Sequence, residues 1–221
     1  MILAGWDARQ IFKKLSVGII RQATDLFREN YVSSNGMDGF VTIALDPQLA
    51  HDYENILAEA KKIWTAVNRP NLMVSIPATD EGIRAVRQLI SEGINTNQTL
   101  IYSEKRFLEA TEAYISGLEA RLADGKPIDK IQSIISVHVT EIDRKTDKIL
   151  EERAQSNPSG TSERLQELHS KAGITICRSI YRQHVALNAS ERMRKLATAG
   201  ANQVRILWDS MCPNPSVSDT Y

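Results

Sequence analysis

Five short runs rich in β-branched and apolar residues recur along this chain. Between each pair lies a longer segment whose apolar positions repeat with a helical period. That alternation constrains the fold more than any single residue does. A strand followed by a helix delivers the chain back to the same end of the sheet, so the next strand pairs in parallel with the last. The expected strands cover residues 39–45, where Asp46-Pro47 closes the run, then 71–77, 97–101, 133–140 and 204–208. A single α/β domain over residues 1–221 follows, with opening helices over 1–35, a sheet-and-helix body over 40–210 and a tail over 211–221.

Helix signals punctuate the intervals. Helices are expected to open at about Asp52, Thr79, Ser103 and Ser190, and Gly93 stands where a glycine cap should end one of them. The spacing predicts helices over 52–67, 79–92, 103–123, 145–154, 164–187 and 190–199. Ile11, Leu15, Val17, Ile20, Ala23 and Phe27 mark one or two more before Asn35. Residues 155–162, rich in Ser, Asn, Pro and Gly, read as the flexible connection within the domain.

Composition removes several partner classes. The 27 basic residues equal the 27 acidic ones, so no net field draws the chain to nucleic acid or an anionic membrane. No stretch reaches the roughly 20 apolar residues of a bilayer span. Cys177 and Cys212 have no metal-like spacing, and the first residues do not read as a secretory signal, so a cytoplasmic location is expected.

Five phrases in order carry a resemblance. They are Leu45-Asp46-Pro47-x-Leu49-Ala50-x-Asp52, Arg69-Pro70-Asn71-Leu72-Met73, Ile76-Pro77-Ala78-Thr79-x-x-Gly82, Glu92-Gly93-Ile94-Asn95-x-Asn97-x-Thr99-Leu100 and Ala113-Tyr114-x-x-Gly117-Leu118-Glu119-Ala120. The chain resembles bacterial transaldolases over residues 40–219. The likeness implies part of a (β/α)8 barrel of the pentose phosphate route, with five strands equivalent to the third to seventh. Family barrels carry two further strands before this stretch and an eighth unit after it.

The resemblance also implies what has changed. The family's Schiff-base lysine position falls at Ser75, its proton-relaying glutamate at Ala44, and its phosphate-binding arginine at Glu141. A hydroxyl cannot form an imine, a methyl group cannot relay a proton, and a carboxylate repels phosphate. Asn97, Thr99, Ser136 and Ser210 match polar lining that binds substrate, and Asp46 is kept. The expected protein has lost transaldolase activity and survives as an oligomeric binding or scaffold module for a small polar or sugar-like ligand, a pseudoenzyme of carbohydrate metabolism. The alternatives are changed chemistry in the old pocket, residual transaldolase activity, or a truncated chain with no independent fold.

Other candidates divide between packing and chemistry. Ser136, His138 and Thr140 are expected on one side of their strand, so His138 either fills space or acts as an acid–base group beside Asp46 or Ser75. Ser75 lacks the turn of a serine nucleophile. Tyr102, Trp208 and Asp209 close their strands at the end where barrels place their sites. Lys61, Lys62, Lys105, Lys126, Lys130, Lys145, Lys148 and Lys171 read as solvated charges, not as a relocated amine. Asp46, Glu141 and His138 do not make a convincing metal set, so neither metal nor cofactor is expected. An incomplete barrel exposes two strand edges. Self-association by edge pairing or swapping, or a partner supplying the missing strands, is expected to cover them, with the opening helices filling part of the gap.

Overall fold

β2 (Leu72–Pro77) lies between β1 (Val41–Ala44) and β3 (Thr96–Ile101), and the sheet continues to β4 (Ser133–His138) and β5 (Arg205–Asp209). All neighbours are parallel, in the order β1-β2-β3-β4-β5. This computed structural model describes residues 5, 7–156, 165 and 167–209. A strictly sequential order means that every crossover steps the same way, which gathers the helices on one face and leaves the other face concave. Barrels wind in this manner and doubly wound sheets do not. The partial TIM-type barrel expected from the sequence is therefore the observed architecture.

The helix layer consists of α1 (Ala8–Leu26), α2 (Arg28–Ser33), α3 (Tyr53–Val67), α4 (Asp80–Glu92), α5 (Glu104–Ala123), α6 (Val139–Ser156), α7 (Ala172–Asn188) and α8 (Glu191–Thr198). Several begin as the sequence announces. The side chains of Asp52, Thr79, Ser103 and Ser190 each accept a hydrogen bond from a backbone N–H in the first turn. α4 ends on Gly93, at φ +93°, a conformation that costs a residue without Cβ nothing. Leu72, Val74, Ile76 and Ile135 on the strands and Leu89 and Ile90 on α4 are wholly buried, each contributing about 1.5–3 kcal/mol of hydrophobic stabilisation.

The N-terminal end of the barrel is closed by residues 34–40. Asn71 donates from its side-chain amide to the carbonyls of Thr24 and Gly39, at 2.8 and 2.9 Å. Gln132 donates to Gly36, and Arg205, the first residue of β5, donates to Met37. The Arg205 guanidinium also lies 5.4 Å from the centre of the Phe40 ring, one residue ahead of β1. The two outer strands are thus tied together at this end through the loop.

α1 packs along α3 and beside the free edge of β1. Ion pairs Lys13–Glu59 and Asp25–Arg69, and the Arg21 guanidinium on the Ala66 carbonyl, hold it along α3 and the turn after it. Phe12, Ile19 and Leu26 stay exposed on it.

Two boundaries differ from expectation. β4 stops at His138 and α6 begins at Val139, so Thr140 lies in the first helical turn and not on the strand beside Ser136 and His138. The buried stripe of α6 contains Asp143 and Asp147, which disguise its period. Their carboxylates accept the backbone N–H of Gly173 at 2.7 Å and of Ser170 at 2.9 Å, organising the chain entering α7. α7 accordingly starts at Ala172, and residues 167–170 are turns, not the helix expected from 164. Gln155 and Ser156 belong to α6; the rest of the expected flexible connection, the tail and Ser210 lie outside the described residues.

Candidate functional site

The concave face is read from the strand register. Ala44 pairs with Ser75, Ser75 with Asn97, and Asn97 with Ile134; further along, Ser136 pairs with Leu207 and His138 with Asp209. Alternation along each strand keeps Ser136 and His138 on the face of Ile134, away from the buried Ile135 and Val137 that meet the helices. The result is a polar row across the middle of the hollow. Ser75, Asn97 and Ser136 are 8%, 7% and 2% exposed, and the Ser136 hydroxyl donates to Asn97 Oδ1 at 2.8 Å. Thr99 follows on β3, its hydroxyl directed to the Ile76 carbonyl at 3.4 Å.

Beyond Thr99 the ladder slips. The register shifts between Gln98 and Ile101, and Leu100 adopts φ +63° in the bulge. The extra residue turns Ile101 back to the helix layer, where it is fully buried, and sends Tyr102 out over the end of the sheet.

Tyr102 stands beside His138, ring centres 5.5 Å apart and tilted by 34°. His138 Nδ1 is 3.1 Å from Asp209 Oδ2, and each side chain keeps 19% exposure. An Asp209 carboxylate can only accept, so Nδ1 is the ring nitrogen that donates to it. The Nε2 atom is buried with no hydrogen-bond partner among the described residues. Burial raises the Tyr102 phenol above its ordinary range, with the charges of Glu141 and Asp209 adding to the effect.

Glu141 occupies the first turn of α6 near this group. A hydrogen bond from Arg144, on the same helix, holds its carboxyl below the usual range against some burial. Asp46 is farther off. It caps a 3₁₀ turn (Pro47–Leu49) by accepting from the Gln48 N–H at 3.0 Å, and β2 and β3 separate its strand from that of His138. The carboxylate that reaches His138 is that of Asp209, a pairing invisible to spacing because the two residues are 71 positions apart. Ser75, the other neighbour expected for His138, belongs instead to the row with Asn97.

A cavity of about 1220 Å³ opens at the free edge of β1, next to Ala44, the register partner of Ser75. Thr42, Ala44 and Asp46 line it from the strand and Phe12, Ile19 and Ile20 from α1, with Lys14 and Lys62 at its wall. Every lysine among the described residues lies on a helix or loop, and Lys61, Lys105, Lys126 and Lys148 engage surface carboxylates. No group of three or more His, Cys, Asp and Glu side chains is placed to hold a metal ion among the described residues. No helix among them is long and apolar enough to cross a membrane.

Comparison with known proteins gives one consistent answer. The family described as transaldolase/fructose-6-phosphate aldolase matches residues 3–220. A transaldolase of Trichodesmium erythraeum is 37% identical over 220 residues, covering 99% of this chain and 58% of the relative. One of Saccharopolyspora erythraea is 41% identical over 209 residues, covering 94% of this chain and 54% of the relative. Transaldolase 2 of a Nostoc species is 34% identical over 221 residues, covering 99% and 58%. The chain thus spans somewhat more than half the length of these relatives. Its sequential parallel sheet, its polar row and the match along nearly every residue together make it a member of the transaldolase/fructose-6-phosphate aldolase family.

Proposed function

We propose that this chain binds a small, unphosphorylated, polyhydroxylated ligand in the hollow of β2–β4, without the imine chemistry of transaldolases, and that it works as an oligomer. One observation carries the reading. The row Ser75–Asn97–Ser136 keeps hydroxyl and amide groups in the hollow, yet offers no amine there, and the lysines of the described residues sit on helices and loops. Carbon–carbon transfer through an iminium needs that amine.

The absence of phosphate follows from charge. Glu141 and Asp209 set two carboxylates around the strand ends, and opposing like charge lowers affinity for an anion. Association is favoured by the exposed apolar residues at both flanks, Phe12 and Ile19 on α1 and Leu207 and Trp208 on β5.

The decisive test incubates the protein with fructose 6-phosphate and erythrose 4-phosphate, then reduces with borohydride and weighs the product by mass spectrometry. No covalent adduct is expected. A trapped adduct ends the reading and returns the chain to transaldolase chemistry. Ser75→Lys serves as the positive control, since it restores an amine to the row.

A further inference from the structure

We propose that Asp143 is a proton-operated latch: holding a proton, it seats the start of α7 on α6, and losing that proton, it loosens the seat. The device is independent of the ligand-binding reading above.

Its parts are the inner stripe of α6 and the turn that enters α7. Asp143 is fully buried, and Asp147, one helical turn further along the same face, is 6% exposed. α7 has no cap of its own, since Lys171 at its N-cap makes no side-chain bond to the first turn. Asp143 supplies that cap from the neighbouring helix, its Oδ1 accepting the Gly173 N–H at 2.7 Å. Glycine is required at this contact, because a Cβ would stand 2.9 Å from Asp143 Oδ2 and 2.9 Å from Val139 Cγ1. The seat therefore lies against Val139, the residue after His138.

The surroundings favour a proton on the latch. Asp143 Oδ2 is buried with no hydrogen-bond partner among the described residues, and an ionised oxygen held that way is costly. The groups around it do not offset this cost. Asp147, on the same helix, carries like charge and takes its own donors from the Ser170 N–H and hydroxyl. Cys177 faces Asp143 from α7 as a thiol that burial pushes up to about 11. His169, in the turn before α7, lies 4.0 Å from Asp147 Oδ1. On β5, which also packs on α6, Asp209 is engaged by His138 and Arg205 by Met37. Burial accordingly raises the Asp143 carboxyl above its ordinary range; the Gly173 N–H opposes this, the charge of Asp147 adds to it and the Ala172 N–H opposes it.

Protonation does not cost the cap its acceptor, because the carbonyl oxygen of a neutral carboxyl still takes the Gly173 N–H. The folded value being the higher one, this stabilisation is whole below the unfolded value of about 3.9 and is lost as pH rises through the folded one.

The experiment follows amide hydrogen exchange of residues 170–174 in the full chain by NMR, as protection relative to the free-peptide rate at each pH. Protection at Gly173 should fall as pH rises, about 10-fold for each pH unit separating the folded value from the unfolded one. Asp143→Asn keeps the acceptor and cannot ionise, so its protection should stay flat and exceed that of the unaltered chain at the alkaline end. A profile of the unaltered chain that is flat or rises with pH, or an Asp143→Asn profile that falls with it, overturns the latch. An equal fall at Leu89 in α4 also overturns it, by assigning the effect to the whole fold. The Asp143 carboxyl carbon, titrated on the unaltered chain by carbon-13 NMR, needs no variant: a midpoint above about 3.9 is expected, and one at or below it overturns the proposal.

Discussion

Five of the six residues of β2 are buried, but none in β1 or β5 is. The contrast is not one of sequence quality, since all three strands carry β-branched or apolar residues. It is one of company. β2 has strands on both sides and α3 and α4 over one face, whereas β1 and β5 each have one neighbouring strand. Among the described residues the flanks are therefore the least enclosed part of the sheet. The centre is a finished piece of barrel, and the flanks are its open margins among the described residues.

That difference can be broken most forcefully in the middle. Leu89→Ala, in α4 beneath the sheet, should cost about 2–5 kcal/mol in urea unfolding, whereas Leu207→Ala on β5 should stay within about 0.5 kcal/mol. Equal losses at both sites would mean that the flank is as well packed as the centre. Next comes the join between the two. Tyr114 of α5 is fully buried, and its hydroxyl donates to the Asn202 carbonyl at 2.8 Å, just ahead of β5. Tyr114→Phe leaves that acceptor without its donor and should cost about 1–3 kcal/mol by the same measurement.

Charges on the flanks should change association more than stability. Phe12→Asp together with Leu207→Asp is expected to lower the sedimentation mass towards that of a single chain, with the urea midpoint little changed. A mass that does not move removes both residues from any self-contact. The smallest effect belongs to the helix layer. Arg192 reaches Glu112 and Glu119, and its hydrogen bond holds the Glu119 carboxyl below the ordinary range. The folded value being the lower one, this stabilisation is present above the unfolded carboxylate value of about 4.3 and is lost as pH falls through the folded one. Arg192→Ala should therefore cost at most about 1 kcal/mol at neutral pH and nothing in strong acid, as an exposed pair is screened by water. A difference that persists in acid assigns Arg192 a packing role.

Much of this architecture was legible. Caps at Asp52, Thr79, Ser103 and Ser190 and the apolar runs of β1–β5 are local signals, and local signals survive in a sequence. The start of α6 was not, because Asp143 and Asp147 occupy its inner stripe in order to hold the next segment. The bulge at Leu100 left no mark either, since nothing about leucine announces a positive φ. In the site, the row of Ser75, Asn97 and Ser136 followed from resemblance and alternation. The His138–Asp209 contact did not, because it depends on the register between two strands separated by α6, α7 and α8.

The loop beneath the sheet sets the shape of what can enter the gap. With Arg205 anchored on Met37 and stacked by Phe40, the outer strands converge at their beginnings. Anything entering between them would therefore meet this clasp at its foot. A straight ribbon of uniform width would have to pry this clasp open first, and breaking Arg205 would widen the set of shapes admitted.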